Sequence, residues 1–145
     1  ILITILFFAL AIVLTAVFGE QEHELQRILR SSRAAVYVVA FMATFTAPIV
    51  EEVVYRGLLF SAFQRRAGTI WAVVIVTFLF AAVHFWQYLE SPVALLMICS
   101  LSLVLTLIRA STKNLWPCIV LHTIFNGLQA LLMILQPFLE EAAQP

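Results

Sequence analysis

Glu51 and Glu52 stand side by side in a chain so apolar that nearly every other segment reads as membrane-spanning, and Arg56 follows one helical turn later. An ionisable side chain near the middle of a bilayer costs roughly 2.5 to 3.5 kcal/mol on insertion scales, so paired carboxylates there point to function. Glu52 and Arg56 are four residues apart, share a helix face and are placed to form an ion pair. Glu51 points about 100° away, on the face that carries Tyr55. Two further segments supply polar groups: FAAVH (80–84) ends in His84, and HTIFN (122–126) puts His122 and Asn126 on one helix face.

These side chains suit hydrolysis. A carboxylate held out of water beside a second one keeps a proton more readily than a solvated carboxylate, which fits it to take a proton from water near neutral pH. Glu51 is the candidate base, and the His84 imidazole can hold the other side of that water. His122 and Asn126 offer donors for the oxyanion of a tetrahedral intermediate. No serine or cysteine sits in a nucleophile motif, which leaves water as the attacking group. The same residue types admit a second mechanism, because Glu51, His84 and His122 are possible zinc ligands and a divalent ion could activate the same water. The helical HExxH pattern is absent, so spacing does not force a metal.

Helices must position these groups. Of 145 residues 63% are hydrophobic and 11% charged, with mean hydropathy +1.06, far above an ordinary soluble domain. The composition predicts an integral membrane protein whose first partner is the lipid bilayer. Eight basic and eight acidic residues give zero net charge, which argues against a nucleic-acid partner. The predicted fold class is all-α, a multi-pass transmembrane bundle with about five helical spans, over residues 1–19, 34–66, 71–88, 92–109 and 115–135. The second is close to 50 Å long at about 1.5 Å per residue, and Pro48 should kink or break it just before the glutamates. Residues 20–33 are polar with Leu25, Ile28 and Leu29 at helical spacing, as in a loop or an amphipathic helix at the interface, and His23 belongs to that solvated surface. Pro137 should end the last span. Arg65, Arg66, Arg109 and Lys113 read as boundary anchors, and Cys99 and Cys118 as small core hydrophobes.

Depth decides whether the polar groups can meet. Measured from the loops bearing Arg65, Arg66 and residues 109–113, Glu51 and His84 both lie about 14 residues in, or about 20 Å. Asn126 is nearly level at about 16 Å, and His122 shallower at about 10 Å. A kink or tilt has to absorb that difference.

EEVVYR (51–56), FAAVH (80–84) and HTIFN (122–126), in this order on successive helices, resemble the EExxxR, FxxxH and HxxxN motifs of the CAAX prenyl endopeptidase and bacteriocin-processing family of intramembrane peptidases. The resemblance covers residues 48–127. It implies a multi-helix membrane endopeptidase acting on membrane-associated protein or peptide substrates, with Glu51 and His84 positioning the catalytic water. It also implies an oxyanion role for His122 and Asn126 and a supporting role for Glu52 and Arg56. Members have been described both as metallopeptidases and as metal-free glutamate-dependent enzymes. The version with no required cofactor is favoured, with zinc or another divalent metal on Glu51, His84 and His122 as the alternative. Two other functional classes compete, a non-catalytic membrane scaffold or self-immunity protein and an ion- or proton-coupled transporter. A transporter should show repeated or broken helices in corresponding halves, which the sequence lacks. The chain opens in mid-apolar run without an initiator Met, and residues 1–145 are expected to form one membrane peptidase domain of a longer protein with further helices upstream.

Overall fold

The computed structural model describes residues 2–18, 32–89 and 91–142. All of the regular structure there is helical, and no strand occurs among the described residues. Inside a bilayer a backbone must satisfy its own hydrogen bonds, and for apolar runs of this length the helix is the available solution. We number the α-helices α1 (Leu2–Phe18), α2 (Arg33–Phe41), α3 (Ala47–Glu52), α4 (Phe60–His84), α5 (Pro92–Thr112) and α6 (Trp116–Ala142). The predicted interfacial element at 20–33, with His23, falls almost entirely outside the described residues. Three stretches are long and apolar enough to cross a membrane: Ala34–His84, Pro92–Thr112 and Trp116–Leu135. The shorter Ile5–Val17 is also apolar.

From α2 to α4 the chain is nearly continuous helix, with two insertions at π spacing, Met42–Thr46 and Val53–Leu59. Pro48 therefore does not break the helix as expected. It occupies the first turn of α3, and the wider spacing just before it accommodates its ring and its missing N–H. The true break lies further on, at Gly68, whose φ of 83° and ψ of 170° divide α4 into two arms. That left-handed conformation is open to glycine at little cost, and Gln64 Nε2 donates to Thr69 Oγ1 across the turn at 3.0 Å. The exposed Arg65 and Arg66 lie just before it, separated from it by Ala67.

The remaining ends are set by local chemistry. Ser32 Oγ accepts the Ala35 N–H to start α2, and Ser91 Oγ accepts the Ala94 N–H ahead of Pro92 to start α5. Lys113, left-handed at φ 55°, ends α5, and Asn114 Oδ1 accepts the Trp116 N–H to open α6. The last helix does not stop at Pro137 but runs on to Ala142, because a proline there forgoes one backbone bond without reversing the chain.

Burial follows the logic of a membrane bundle. Large apolar side chains such as Ile12, Phe78 and Trp116 face outward, while Glu52, Arg56, Ser102, Thr106 and His122 are buried. One apolar cluster of Phe7, Met97, Leu101, Leu105, Cys118 and Phe125 joins α1, α5 and α6, with Phe7 edge-on to Phe125 at 5.5 Å. A second, of Phe60, Ala72 and Val76, holds the two arms of α4 together. Cys118 behaves as the expected core residue, its thiol donating to the Leu105 carbonyl at 3.3 Å.

Candidate active site

Arg56 is the hub. Its guanidinium is fully buried and donates from Nη1 to Glu52 Oε1 at 2.8 Å, so the i, i+4 ion pair read from the sequence forms. From Nη2 it donates to the Ser102 carbonyl at 3.1 Å and to Ser102 Oγ at 2.9 Å. From Nε it donates to Thr106 Oγ1 at 3.3 Å, while its Cζ lies over the Phe80 ring, 4.5 Å from the centroid. Five N–H donors in a planar fork suit a guanidinium to bridge α3, α4 and α5 in this way. Ser102 and Thr106 were not singled out in the sequence, because isolated hydroxyls in an apolar helix carry no pattern of their own.

The two neighbouring glutamates diverge, as successive helix residues must, and His122 reaches both. Its Nδ1 lies 2.8 Å from Glu52 Oε1, the oxygen that Arg56 also holds, and its Nε2 lies 3.7 Å from Glu51 Oε2. Against an ionised Glu52 the proton sits on Nδ1, which leaves the Nε2 lone pair facing Glu51 across a gap too long for a direct hydrogen bond. His122 thus meets both glutamates despite the shallower position expected for it. Glu52 is wholly enclosed, whereas the Glu51 side chain keeps 26% exposure. Glu51 is therefore the acid with access to a cavity.

His84, at the end of α4, points its Nδ1 at the Phe80 carbonyl at 2.8 Å. A carbonyl only accepts, so Nδ1 carries the hydrogen and Nε2 keeps a lone pair. Phe80 sits among the polar groups, with Tyr55 at 5.0 Å, His84 at 4.8 Å and His122 at 6.0 Å between ring centroids. It is buried, and it fixes both imidazoles against one aromatic surface.

Asn126 donates from Nδ2 to the Ala43 carbonyl at 2.9 Å. The first π insertion explains why that carbonyl is available. Ala47 N–H reaches back five residues to Met42, and the next amide in the same register belongs to Pro48, which has no hydrogen to give to Ala43. Gly127 allows the approach, since a Cβ there would stand 3.3 Å from Thr44 Cγ2. One amide hydrogen of Asn126 is therefore committed to structure, and the other has no partner among the described residues.

Arg109, read from the sequence as a boundary anchor, instead turns inward. Its Nε donates to the Arg56 carbonyl at 3.1 Å, and its guanidinium lies 5.7 Å from the buried Phe60 ring. Arg65, Arg66 and Lys113 are exposed, as anchors are.

Glu51, His84, His122 and Asn126, from three separated stretches of sequence, line one cavity of about 460 Å³ with Phe80 and Tyr88. Its lining also includes apolar side chains, among them Met97, Ile98 and Met133. No group of three His, Cys, Asp or Glu side chains close enough to hold a metal ion occurs among the described residues.

A bundle of membrane-length helices enclosing an acid–imidazole cavity defines an integral membrane protein with an enzyme-like buried site. A profile of the family described as type II CAAX prenyl endopeptidase Rce1-like matches residues 33–128, about two thirds of the chain, and the chain belongs to that family. It is accordingly a membrane-embedded protease of the CAAX type. The matched region runs from α2 into α6 and contains every residue of the polar cluster. No curated protein and no solved structure matches the chain.

Proposed function

We propose that the chain is an endopeptidase that cleaves a peptide bond near the carboxyl terminus of membrane-associated proteins or peptides, with water activated by Glu51. The observation that carries this reading is the convergence of Glu51, His84, His122 and Asn126 on one cavity. A water held by Glu51 within the cavity donates one hydrogen to the carboxylate and attacks the scissile carbonyl. The Glu51 carboxyl then returns the proton to the leaving amine. His84, through Nε2, holds the water from the other side. The second Nδ2 hydrogen of Asn126 is the donor left for the developing oxyanion, whereas His122, with its hydrogen on Nδ1 toward Glu52, has none to give at Nε2 and does not take the oxyanion role expected of it. Glu52 and Arg56 act at one remove: they fix the tautomer and angle of His122, as a carboxylate behind an imidazole does in other hydrolytic sites.

The apolar side chains that share the cavity lining favour a substrate with an aliphatic or lipid-modified end, in keeping with the family's prenyl substrates. A non-catalytic scaffold has no need for four costly polar side chains to share a cavity. The test is cleavage of a fluorogenic farnesylated peptide ending in a CAAX sequence, by purified wild type and Glu51→Gln. Cleavage by the wild type alone is expected. Equal turnover by the two proteins would remove Glu51 as the base.

A further inference from the structure

We propose that Arg109 is a positioning residue for this reaction, acting through the Arg56 backbone to hold Glu52 and His122 in register. The inference rests on the hydrolytic reading above. Its starting point is the second π insertion, Val53–Leu59, which separates Glu52 from α4. The Phe60 N–H reaches back five residues to the Tyr55 carbonyl. Where a helix returns from five-residue to four-residue spacing, one carbonyl is passed over, and an unpaired buried carbonyl is costly. The Arg56 carbonyl, next in line after Tyr55, is the one that takes the Nε–H of Arg109 from α5 at 3.1 Å.

Three features separate this contact from a lipid anchor. Arg109 is half-buried rather than exposed like Arg65, Arg66 and Lys113. Its guanidinium is seated near the fully buried Phe60 ring. Its acceptor is the backbone of the residue whose side chain holds Glu52 Oε1, the oxygen that in turn meets His122 Nδ1. Loss of the donor favours return of residues 53–59 to ordinary α spacing. That return rotates Glu52 against Arg56 and moves Oε1 away from the imidazole. A displacement of this size at a positioning group costs on the order of 100-fold in rate at most. The parallel at the first insertion supports the assignment, since there the spare Ala43 carbonyl is taken by Asn126 from α6. Each irregular turn flanking the glutamates is thus held by a side chain from a different helix.

Two substitutions separate the donor from the charge. Glutamine places its Nε2 amide the same number of bonds from Cα as the arginine Nε but carries no charge, whereas lysine keeps the charge and puts a methylene there. We expect Arg109→Ala and Arg109→Lys to lower kcat for the farnesylated CAAX peptide by roughly 10- to 100-fold, with KM unchanged within about twofold. Arg109→Gln should retain kcat within about threefold of the wild type. In the full chain, hydrogen exchange at the amides of residues 53–61 should quicken in the alanine and lysine variants and stay near wild type in Arg109→Gln. Wild-type kcat and exchange in Arg109→Ala would overturn the proposal. So would rescue by lysine with failure of glutamine, the pattern of a charge at the membrane boundary. Glu51→Gln run in the same series keeps the two readings apart: its activity refutes the site, whereas its inactivity beside an unaffected Arg109→Ala refutes only the role of Arg109. If the peptide is not cleaved by the wild type, the exchange pattern alone decides, and uniform protection across the variants counts against Arg109.

Discussion

Arg56→Ala isolates what the buried cluster contributes to stability. The side chain makes two hydrogen bonds to Ser102, one to Thr106 and one to Glu52, and the Glu52 carboxylate it neutralises has no exposure. Interhelical hydrogen bonds in membrane proteins average about 0.6 kcal/mol, so the three partners on α5 amount to somewhat under about 2 kcal/mol. The larger share comes from the stranded charge, since removing one partner of a buried pair costs about 3 to 5 kcal/mol. Only the His122 Nδ1–H then remains on Oε1, and Glu52 Oε2 already lacks a partner among the described residues. We expect a loss of at least about 3 kcal/mol, more than a hundredfold in the unfolding constant. Unfolding in mixed detergent and SDS micelles measures it. The charge argument further requires that Glu52→Gln combined with Arg56→Met be less destabilising than Arg56→Ala alone. Additive losses across Glu52→Gln, Arg56→Met and the double variant, or a loss below about 1 kcal/mol for Arg56→Ala, would show that the cluster is not a coupled pair.

Three further outcomes follow from the geometry. Glu51→Gln should abolish cleavage while leaving the unfolding free energy within about 0.5 kcal/mol of wild type, because Glu51 makes no direct hydrogen bond among the described residues and keeps partial exposure; a large stability loss on thermal unfolding would mark it as structural. Asn126→Ala should cost about 1 to 2 kcal/mol by leaving the Ala43 carbonyl without a donor, and adding Pro48→Ala, which restores a backbone N–H, should recover part of that loss in the same detergent titration; no recovery would break the link between the two residues. Protein stripped by extensive chelation should stay active, and elemental analysis showing one zinc per active chain, lost in His84→Ala and His122→Ala, would reverse the choice of mechanism.

The class of fold was legible because lipid leaves a backbone few options, and long apolar runs broken by short polar ones state that directly. The Glu52–Arg56 pair was legible because four-residue spacing on a helix is a fixed distance. What escaped notice depended on backbone register or on third partners. A π insertion changes spacing by one residue without any compositional mark, so the holding of Ala43 by Asn126 and of Arg56 by Arg109 had no sequence signal. Pro48 offered the nearest hint, and it pointed to a break rather than to a carbonyl freed for another helix. Ser102 and Thr106 could have been found by asking which side chains on a neighbouring span might receive a buried guanidinium.

Gly68 turns the first long apolar stretch into a hairpin with almost no loop, and the turn acts as a ruler. Glu51 stands seventeen residues before it and His84 sixteen after it, so the two arms bring the carboxylate and the imidazole to similar heights. Such a ruler has no slack. One residue inserted between Gly68 and His84 would shift the imidazole by about 1.5 Å along the axis and swing it by about 100°, out of the cavity. Insertions and deletions should therefore be tolerated far less between 51 and 84 than in the connections on either side of α5. If both arms enter the bilayer together, the spacing of the active groups is settled at the moment of insertion, before α5 and α6 pack against them.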